Sequence, residues 1–356
     1  MVQNIKTPMK GRLICGAAAG DSNSIMKNNI EAIYSVGFDT YMHGIKYDEI
    51  RLYINNSTDY HKTALNRAAE LGIKVHLIMD CKLWCPTNVD ISNCYERFIR
   101  SSTSKTKFYD DLTWVLQRYK NYPAFEGIHL EEPYDHWDDC AANENAGLPC
   151  PNPPEYYQNI KDLWNDFHVN CRIRIDNENM GIGFHFGFNW ATYSKSSSGR
   201  MGCDYAYVSN NITNSLNKPL YTYFVFQSSA VSGTEFGNQY TEWHSRLPNI
   251  EILNCAYIQG SAELSSPECQ ASGGYSSIKC YNQVVYDLIK WAIDNNEGVW
   301  VFNVGFFWAP SIYYTNYVNT TYPGANAGEK LTNLLNIDTC PKPQFSFNIN
   351  QVYNKE

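Results

Sequence analysis

The sequence contains few basic residues and no long apolar run, and both shortages exclude classes of protein. Only 28 of the 356 residues are Lys or Arg, they are scattered along the chain, and the formal net charge is −8. A nucleic-acid groove needs a basic stripe to contact phosphates, so a nucleic-acid partner is not expected. No apolar run reaches the length of a membrane-spanning helix, so no membrane span is expected.

The sequence also lacks the marks of a multidomain chain. It has no Ser/Gly or Pro tract long enough for a linker, no block of charge between two halves, and no repeat at a fixed period. With 44% hydrophobic residues, a chain of this length can bury one large core. Residues 1–356 are therefore expected to form a single domain, in which residues 138–154, rich in Pro and Asn, form a loop insertion.

Several motifs of hydrolases and metal proteins are missing. There is no Gly-x-Ser-x-Gly elbow and no His-Glu-x-x-His helix, which disfavours hydrolases of those unrelated classes. Cys81-Lys-Leu-Trp-Cys85 with Cys94 approaches the spacing of a zinc site, but no paired His lies nearby. No metal and no other cofactor is therefore expected.

Cysteine, by contrast, is abundant. The twelve Cys form an even number spread over the chain, which indicates structural disulfides and an oxidising compartment. Three Asn-x-Thr sequences, which begin at Asn56, Asn211 and Asn319, have the form of glycosylation acceptors. Residues 1–10 lack the apolar core of a signal peptide, so a secreted protein would have had its signal removed or replaced. The expected location is extracellular.

Apolar strands and amphipathic helices alternate along the chain. A helix, for example, is predicted from His61 to Leu71, with Gly72 after it. Eight strands with interleaved helices predict a single (β/α)8 TIM-type barrel, and a doubly wound open sheet is the alternative. A ninth strand-like run, Tyr221 to Phe226, is either an excursion within a loop insertion at 211–240 or a barrel strand that the count misplaces. The eight predicted strands are residues 11–15, 40–43, 75–80, 125–131, 181–187, 204–208, 250–259 and 299–304.

The barrel hypothesis predicts where site residues lie, because catalytic groups of such barrels sit at the C-terminal ends of the strands. Asp80 ends the third strand on the same face as His76, and His185 shares its face of the fifth strand with glycines. Loop capping by Asp80 and core packing by the histidines are the structural alternatives. The other strand positions predicted to line a cleft are His43, His129, Tyr207, Asn210, Tyr257, Gln259 and Asn303.

Two adjacent carboxylates, Glu131 and Glu132, end the fourth strand. Pro133 cannot donate to a strand ladder, so the strand stops there and the chain turns outward. Buried charge at a strand end is costly unless it is used, so these acids are predicted to perform acid/base chemistry. The residues predicted to bind substrate in the loop that follows are Tyr134, Asp135 and Trp137.

This fourth strand resembles glycoside hydrolases with (β/α)8 barrels over one short stretch. Leu130-Glu-Glu-Pro133 resembles the Asn-Glu-Pro ending of the retaining β-glycosidase clan, which implies Glu132 as acid/base. Glu126-Gly-Ile-His-Leu-Glu131 resembles the fourth strand of chitinase-like barrels, which implies Glu131, although Pro133 stands where a chitinase has its catalytic Glu. Strand parity also favours Glu131, so both glutamates remain candidates.

The resemblance implies a second carboxylate but does not settle which residue supplies it. In the retaining clan the nucleophile ends strand seven, whereas the predicted seventh strand here ends in the amide Gln259. Thr234-Glu235-Phe-Gly237 resembles the clan's nucleophile ending, which implies Glu235 if the run at 221–226 is strand seven. Otherwise Asp80, Glu263 or Asp135 must serve, or there is no second acid.

The leading hypothesis is a secreted hydrolase that cleaves glycosidic bonds in an oligo- or polysaccharide. Glu131 or Glu132 would act as acid/base, and a second carboxylate would attack the sugar or activate water. The alternative is a catalytically inactive sugar-binding or structural surface protein on the same barrel, which Gln259 favours. The aromatic residues expected to form platforms for sugar rings are Tyr134, Trp137, Tyr257 and Trp308.

Overall fold

A computed structural model describes the strands, much of the helical layer and the turns that join them. The described residues are 10–16, 30, 34, 40–55, 58–85, 94–130, 154–178, 183–189, 223–227, 232–246, 251–256, 288, 290–292, 294–295 and 297–302.

Eight parallel strands close into a barrel in chain order, with the first strand paired to the eighth. This α/β architecture agrees with the predicted fold class, and the pairing of β1 with β8 differs from the alternative open sheet. The strands are β1 (Lys10–Gly16), β2 (Thr40–Gly44), β3 (Lys74–Met79), β4 (Phe125–Leu130), β5 (Gly183–Asn189), β6 (Tyr223–Gln227), β7 (Glu251–Ala256) and β8 (Glu297–Phe302).

Six helices with defined bounds surround this barrel in the described part of the chain, and a short 3-10 turn, Cys81–Trp84, follows β3. None of the helices described is long and apolar enough to cross a membrane. The helices are α1 (Tyr47–Ile54), α2 (Tyr60–Leu71), α3 (Cys94–Arg100), α4 (Ser102–Tyr119), α5 (Pro154–Asn177) and α6 (Gly233–Arg246).

The ends of helix α2 follow from local sequence. The Asp59 side chain accepts a hydrogen bond from the Lys62 main-chain N–H at 3.2 Å and caps the N-terminus. Gly72 ends the helix with a φ of 70°, in the left-handed region that glycine adopts without a steric penalty. The predicted end of the helix at Leu71 is therefore confirmed.

The sixth strand corrects the predicted count. Tyr223–Gln227 lies between β5 and β7 in the closed barrel, so the run taken as the ninth strand is the sixth. Residues 204–208, the predicted sixth strand, lie outside the described residues, and Tyr223–Gln227 takes the sixth position in the barrel. β6 and the first part of α6, residues 233–240, fall within 211–240, so that range contains barrel elements and is not simply a loop insertion.

The helical layer beside β3 and β4 is held by a cluster of aromatic rings. Phe98 of α3, Phe108 of α4 and Phe167 of α5 are fully buried, and their ring centroids lie 5.1 to 5.7 Å apart. Trp84 of the 3-10 turn packs edge-on against Phe108 at 5.0 Å. Pairs in this geometry contribute about 0.5–1.5 kcal/mol each beyond burial. The cluster fixes the turn that begins one residue after Asp80.

Candidate active site

Asp80 lies at the C-terminal end of β3, directly after Met79. Its side chain is buried, and its main-chain carbonyl oxygen accepts a hydrogen bond from the Leu83 N–H at 3.0 Å, which starts the 3-10 turn. The Tyr95 hydroxyl donates to Asp80 Oδ1 at 3.2 Å. A buried carboxylate needs such donors, since burial removes it from water. The structure thus places Asp80 at the strand end where the sequence predicts it.

A second set of contacts fixes the turn that follows Asp80. Asp111 of α4 is buried and accepts a hydrogen bond from Trp84 Nε1 at 2.7 Å. The other oxygen of Asp111 is paired with the Arg51 guanidinium of α1. One carboxylate therefore joins α1, α4 and the turn, so the main chain beside Asp80 is held from two helices.

The register of β3 and β4 relates Asp80 to the acidic pair. Met79 and Leu130 are Cα partners across the two parallel strands. Asp80 follows Met79 and Glu131 follows Leu130, so the two carboxylates come directly after a registered pair of strand residues. Glu131 and Glu132 themselves lie outside the described residues.

Two histidines, one on β3 and one on β4, lie on the face of the sheet that is turned away from the helices, in the barrel interior. His76 Nε2 lies 3.1 Å from Glu126 Oε2, and both His76 and His129 are completely buried. Burial, with a smaller contribution from His76, lowers the pKa of His129 to about 3, so this imidazole is neutral near pH 7. On β5, His185 is the Cα partner of His129.

His43 does not belong to this interior layer. Its Nδ1 is 3.0 Å from the Tyr41 hydroxyl, and its ring lies 5.2 Å from that of His61 on α2. Burial, His61 and Lys46 lower the pKa of His43 below its ordinary value. Its predicted place in a substrate cleft is corrected: His43 faces the helical layer. The cause is strand alternation, because its neighbours Met42 and Gly44 take the inward positions.

Glu235 lies in the first turn of α6 and is exposed. Its main-chain N–H donates to Ser232 Oγ at 3.3 Å, in the manner of a helix N-cap. The run before it is strand six, so the condition under which Glu235 would be the nucleophile, a position after strand seven, is not met.

The remaining predicted residues fall into two groups. Tyr207 and Asn210 were assigned to the end of the sixth strand, but β6 ends at Gln227, so that assignment is corrected. Tyr257 directly follows β7 and Asn303 directly follows β8 in sequence. The predicted residues outside the described part of the chain are Tyr134, Asp135, Trp137, Tyr207, Asn210, Tyr257, Gln259, Asn303 and Trp308.

Two residues beside Asp80 were not foreseen from the sequence. Tyr95 contacts Asp80 from 15 positions away, and Asp111 contacts Trp84 from 27 positions away. Neither stands in a motif, so no local signal marks them. The helical spacing of α4 was the available clue for Asp111, since a buried carboxylate on such a helix needs a partner.

Solved structures define the class of fold. The chain matches glycoside hydrolases built on the (β/α)8 barrel, and its own barrel has the same α/β architecture. No family model matches the sequence, and no curated protein matches it.

Particular matches include two mannanases and a β-galactosidase. The endo-β-1,4-mannanase from Thermotoga petrophila is 13% identical with a TM-score of 0.54, over 92% of this chain and 77% of that one. The β-1,4-mannanase from the sea hare Aplysia kurodai is 14% identical with a TM-score of 0.53, over 96% and 99%. A β-galactosidase from Rahnella sp. R3 is 14% identical with a TM-score of 0.51, over 83% and 51%. These identities establish similarity of fold alone.

Proposed function

We propose that the protein is a carbohydrate-active hydrolase that cleaves glycosidic bonds with Asp80 and one glutamate of the pair Glu131 and Glu132. The observation that supports this most directly is the register between Met79 and Leu130, after which the two acidic positions follow. Adjacent strands lie about 4.8 Å apart. Two-acid glycoside hydrolysis uses carboxyl groups about 5–5.5 Å apart for retention and about 6.5–9.5 Å apart for inversion. The ends of two neighbouring strands can therefore hold two carboxyl groups at either of these separations.

Within the pair, Glu131 is the better partner of Asp80. Continued alternation along β4 gives Glu131 the parity of His129, which lies in the barrel interior. Glu132 has the opposite parity, and only a turn at Pro133 would redirect its side chain. We assign Glu131 the role of general acid, which protonates the glycosidic oxygen as the bond breaks.

The surroundings of Asp80 suit the second carboxylate. The Tyr95 hydroxyl donates to one of its oxygens, and the turn behind it is fixed by Asp111. A carboxylate held in one orientation can attack the anomeric carbon or remove a proton from water without reorganising in the transition state. Glu235, by contrast, is exposed in the first turn of the helix that follows strand six.

The substrate class follows from the chemistry and from the compared structures. The matched proteins named mannanase and β-galactosidase act on sugars, so an oligo- or polysaccharide is the proposed substrate, and β-1,4-mannan is the first to test. Tyr134, Trp137, Tyr257 and Trp308 are proposed platforms for sugar rings.

We place the protein outside the cell, as a glycoprotein with disulfides. The support is the even number of twelve Cys and the three glycosylation acceptor sequences. Peptide mapping of the natively expressed protein, before and after removal of N-glycans, tests this location. If Asn56, Asn211 and Asn319 carry no glycans, one of the two arguments for an extracellular location is lost.

The enzyme is tested by a screen of polysaccharides and aryl glycosides with the wild type and with Glu131→Gln, Glu132→Gln and Asp80→Asn. We expect Glu131→Gln and Asp80→Asn to lower kcat by about 10²- to 10⁴-fold, the usual contribution of a general acid or base. Retained melting temperature and circular dichroism in each variant show that the fold is intact.

Two other outcomes would change the assignment. A fourth variant, Glu235→Gln, tests the other candidate: its loss of turnover with activity retained in Asp80→Asn would transfer the second role to Glu235. Binding of a polysaccharide without turnover, by the wild type and all variants, would instead establish the inactive sugar-binding protein.

A further inference from the structure

Two cysteines border the chain between the 3-10 turn and α3, beside Asp80. Cys85 directly follows the turn, and Cys94 is the first residue of α3. Cys85 Sγ donates to the main-chain carbonyl oxygen of Cys94 at 3.3 Å. A carbonyl oxygen lies within about 2.8 Å of its own Cα, so Cys85 Sγ lies within about 6 Å of the Cys94 Cα.

This separation is compatible with a covalent bridge. The Cys85 thiol lies beside the main chain of Cys94. A bridge forms when rotation of the two side chains brings the sulfur atoms to about 2.05 Å from each other. Both residues are partly exposed, so a small oxidant can reach them.

We propose that Cys85 and Cys94 are a redox-active pair that forms an intramolecular disulfide at the C-terminal end of the barrel. The co-reactant is a small disulfide such as oxidised glutathione. The thiolate of one cysteine attacks the small disulfide, forms a mixed disulfide with one half of it and releases the other half as a thiol. The thiolate of the second cysteine then attacks the protein sulfur of the mixed disulfide and releases the remaining half as a second thiol. Two protein thiols are thereby oxidised, and the small disulfide is reduced to two thiols.

The bridge has a direct connection to Asp80. Tyr95, which donates to Asp80 Oδ1, is the residue after Cys94. A bond between Cys94 and Cys85 joins the first turn of α3 to the 3-10 turn that begins after Asp80. Oxidation therefore restrains the position of Tyr95, the donor of this hydrogen bond, relative to Asp80, its acceptor. The inference does not depend on the proposed hydrolase activity.

Two other cysteines nearby provide the contrast. Cys81 and Cys171 are completely buried, and burial raises the pKa of both thiols well above the ordinary value. The thiolate is the reactive form, so these residues are expected to remain thiols under the same conditions.

The test uses the full-length protein in mixtures of reduced and oxidised glutathione. Thiols are blocked with iodoacetamide in the native state, and the protein is digested without reductant and analysed by mass spectrometry. We expect a peptide that links Cys85 to Cys94, with Cys81 and Cys171 alkylated only after unfolding. Separate alkylation of Cys85 and Cys94 at every glutathione ratio, or a link from either one to another cysteine, would overturn the proposal.

A melting experiment gives an independent readout. Closure of this short loop is expected to raise the Tm of the oxidised wild type by about 3 °C over the reduced form. The double variant Cys85→Ser with Cys94→Ser should lose this difference, and Cys171→Ala should keep it. A difference that survives in the double variant would assign the redox effect to other cysteines and contradict the proposal.

Discussion

At the scale of single residues, the contact between Tyr95 and Asp80 gives the site its most specific test. Tyr95→Phe removes the hydroxyl and leaves the ring in place. A hydrogen bond to a charged group contributes about 1.5–3 kcal/mol, so we expect kcat to fall about tenfold or more with KM little changed. The measurement is steady-state kinetics on the substrate that the polysaccharide screen identifies.

Tyr156→Phe is the matched control for this variant. Its hydroxyl donates to Glu96, the residue after Tyr95, so this variant loses a hydroxyl from the same region and keeps the Tyr95 contact to Asp80. Kinetics of Tyr156→Phe should resemble the wild type. Equal kcat in Tyr95→Phe and Tyr156→Phe would show that the Tyr95 hydroxyl does not position Asp80 for the reaction.

At the scale of elements, Asp111 joins two helices to the turn after β3. Asp111→Asn keeps the size of the side chain but removes the charge that faces Arg51, and it replaces one acceptor oxygen with a donor. The Asp111 side chain is 3% exposed. We expect the free energy of unfolding to fall by about 2 kcal/mol, since a buried charged contact is broken. Urea denaturation measures this change.

The neighbouring residue provides a control for that substitution. Asp110 is exposed on the same helix, and Asp110→Asn should change stability by less than about 0.5 kcal/mol. If Asp111→Asn proves as mild as Asp110→Asn, the 3-10 turn is held by the aromatic cluster and not by this carboxylate.

At the scale of the whole molecule, buried histidines make stability depend on pH. Burial lowers the pKa of His129 and of His168 to about 3 from an ordinary value of 6.5. As the pH falls, these two histidines therefore take up protons at a higher pH in the unfolded chain than in the folded protein. Stability from this source is complete above pH 6.5 and is lost progressively between pH 6.5 and about 3. The loss is roughly 1.4 kcal/mol per pH unit for each histidine.

His168→Phe tests this dependence. The variant keeps an aromatic ring beside Trp164 and Phe167, and it cannot take up a proton. Its free energy of unfolding, from urea titrations at several pH values, should fall less steeply with acid than that of the wild type. His244→Gln, at an exposed position on α6, is the control and should keep the wild-type slope. If the free energy of unfolding changes with pH at the same slope in all three proteins, the assignment of this pH dependence to His168 is contradicted.

The barrel could be predicted from the sequence because strands and helices differ in the spacing of their apolar residues. The prediction was wrong where the sequence shows no such spacing. All five residues of β2 are buried, so Thr40–Gly44 shows no alternation by which to place His43 inside or outside. The sixth strand was misplaced because two neighbouring stretches both had strand composition, and only the closed pairing separates them. Asp80 was found because a strand end is a local feature. Its partner Tyr95 was not, since that contact depends on how α3 packs.

The pairing of β1 with β8 also determines when the molecule can be completed during synthesis. All other strand pairs join consecutive strands, whereas Lys10 is paired with Glu297 near the far end of the described chain. A nascent chain on the ribosome therefore exposes one open edge of β1 until residues 297–302 have emerged. Open strand edges pair readily with other chains. Production of this protein is thus vulnerable to aggregation until β8 has been synthesised, and slower elongation between β7 and β8 prolongs that vulnerable interval.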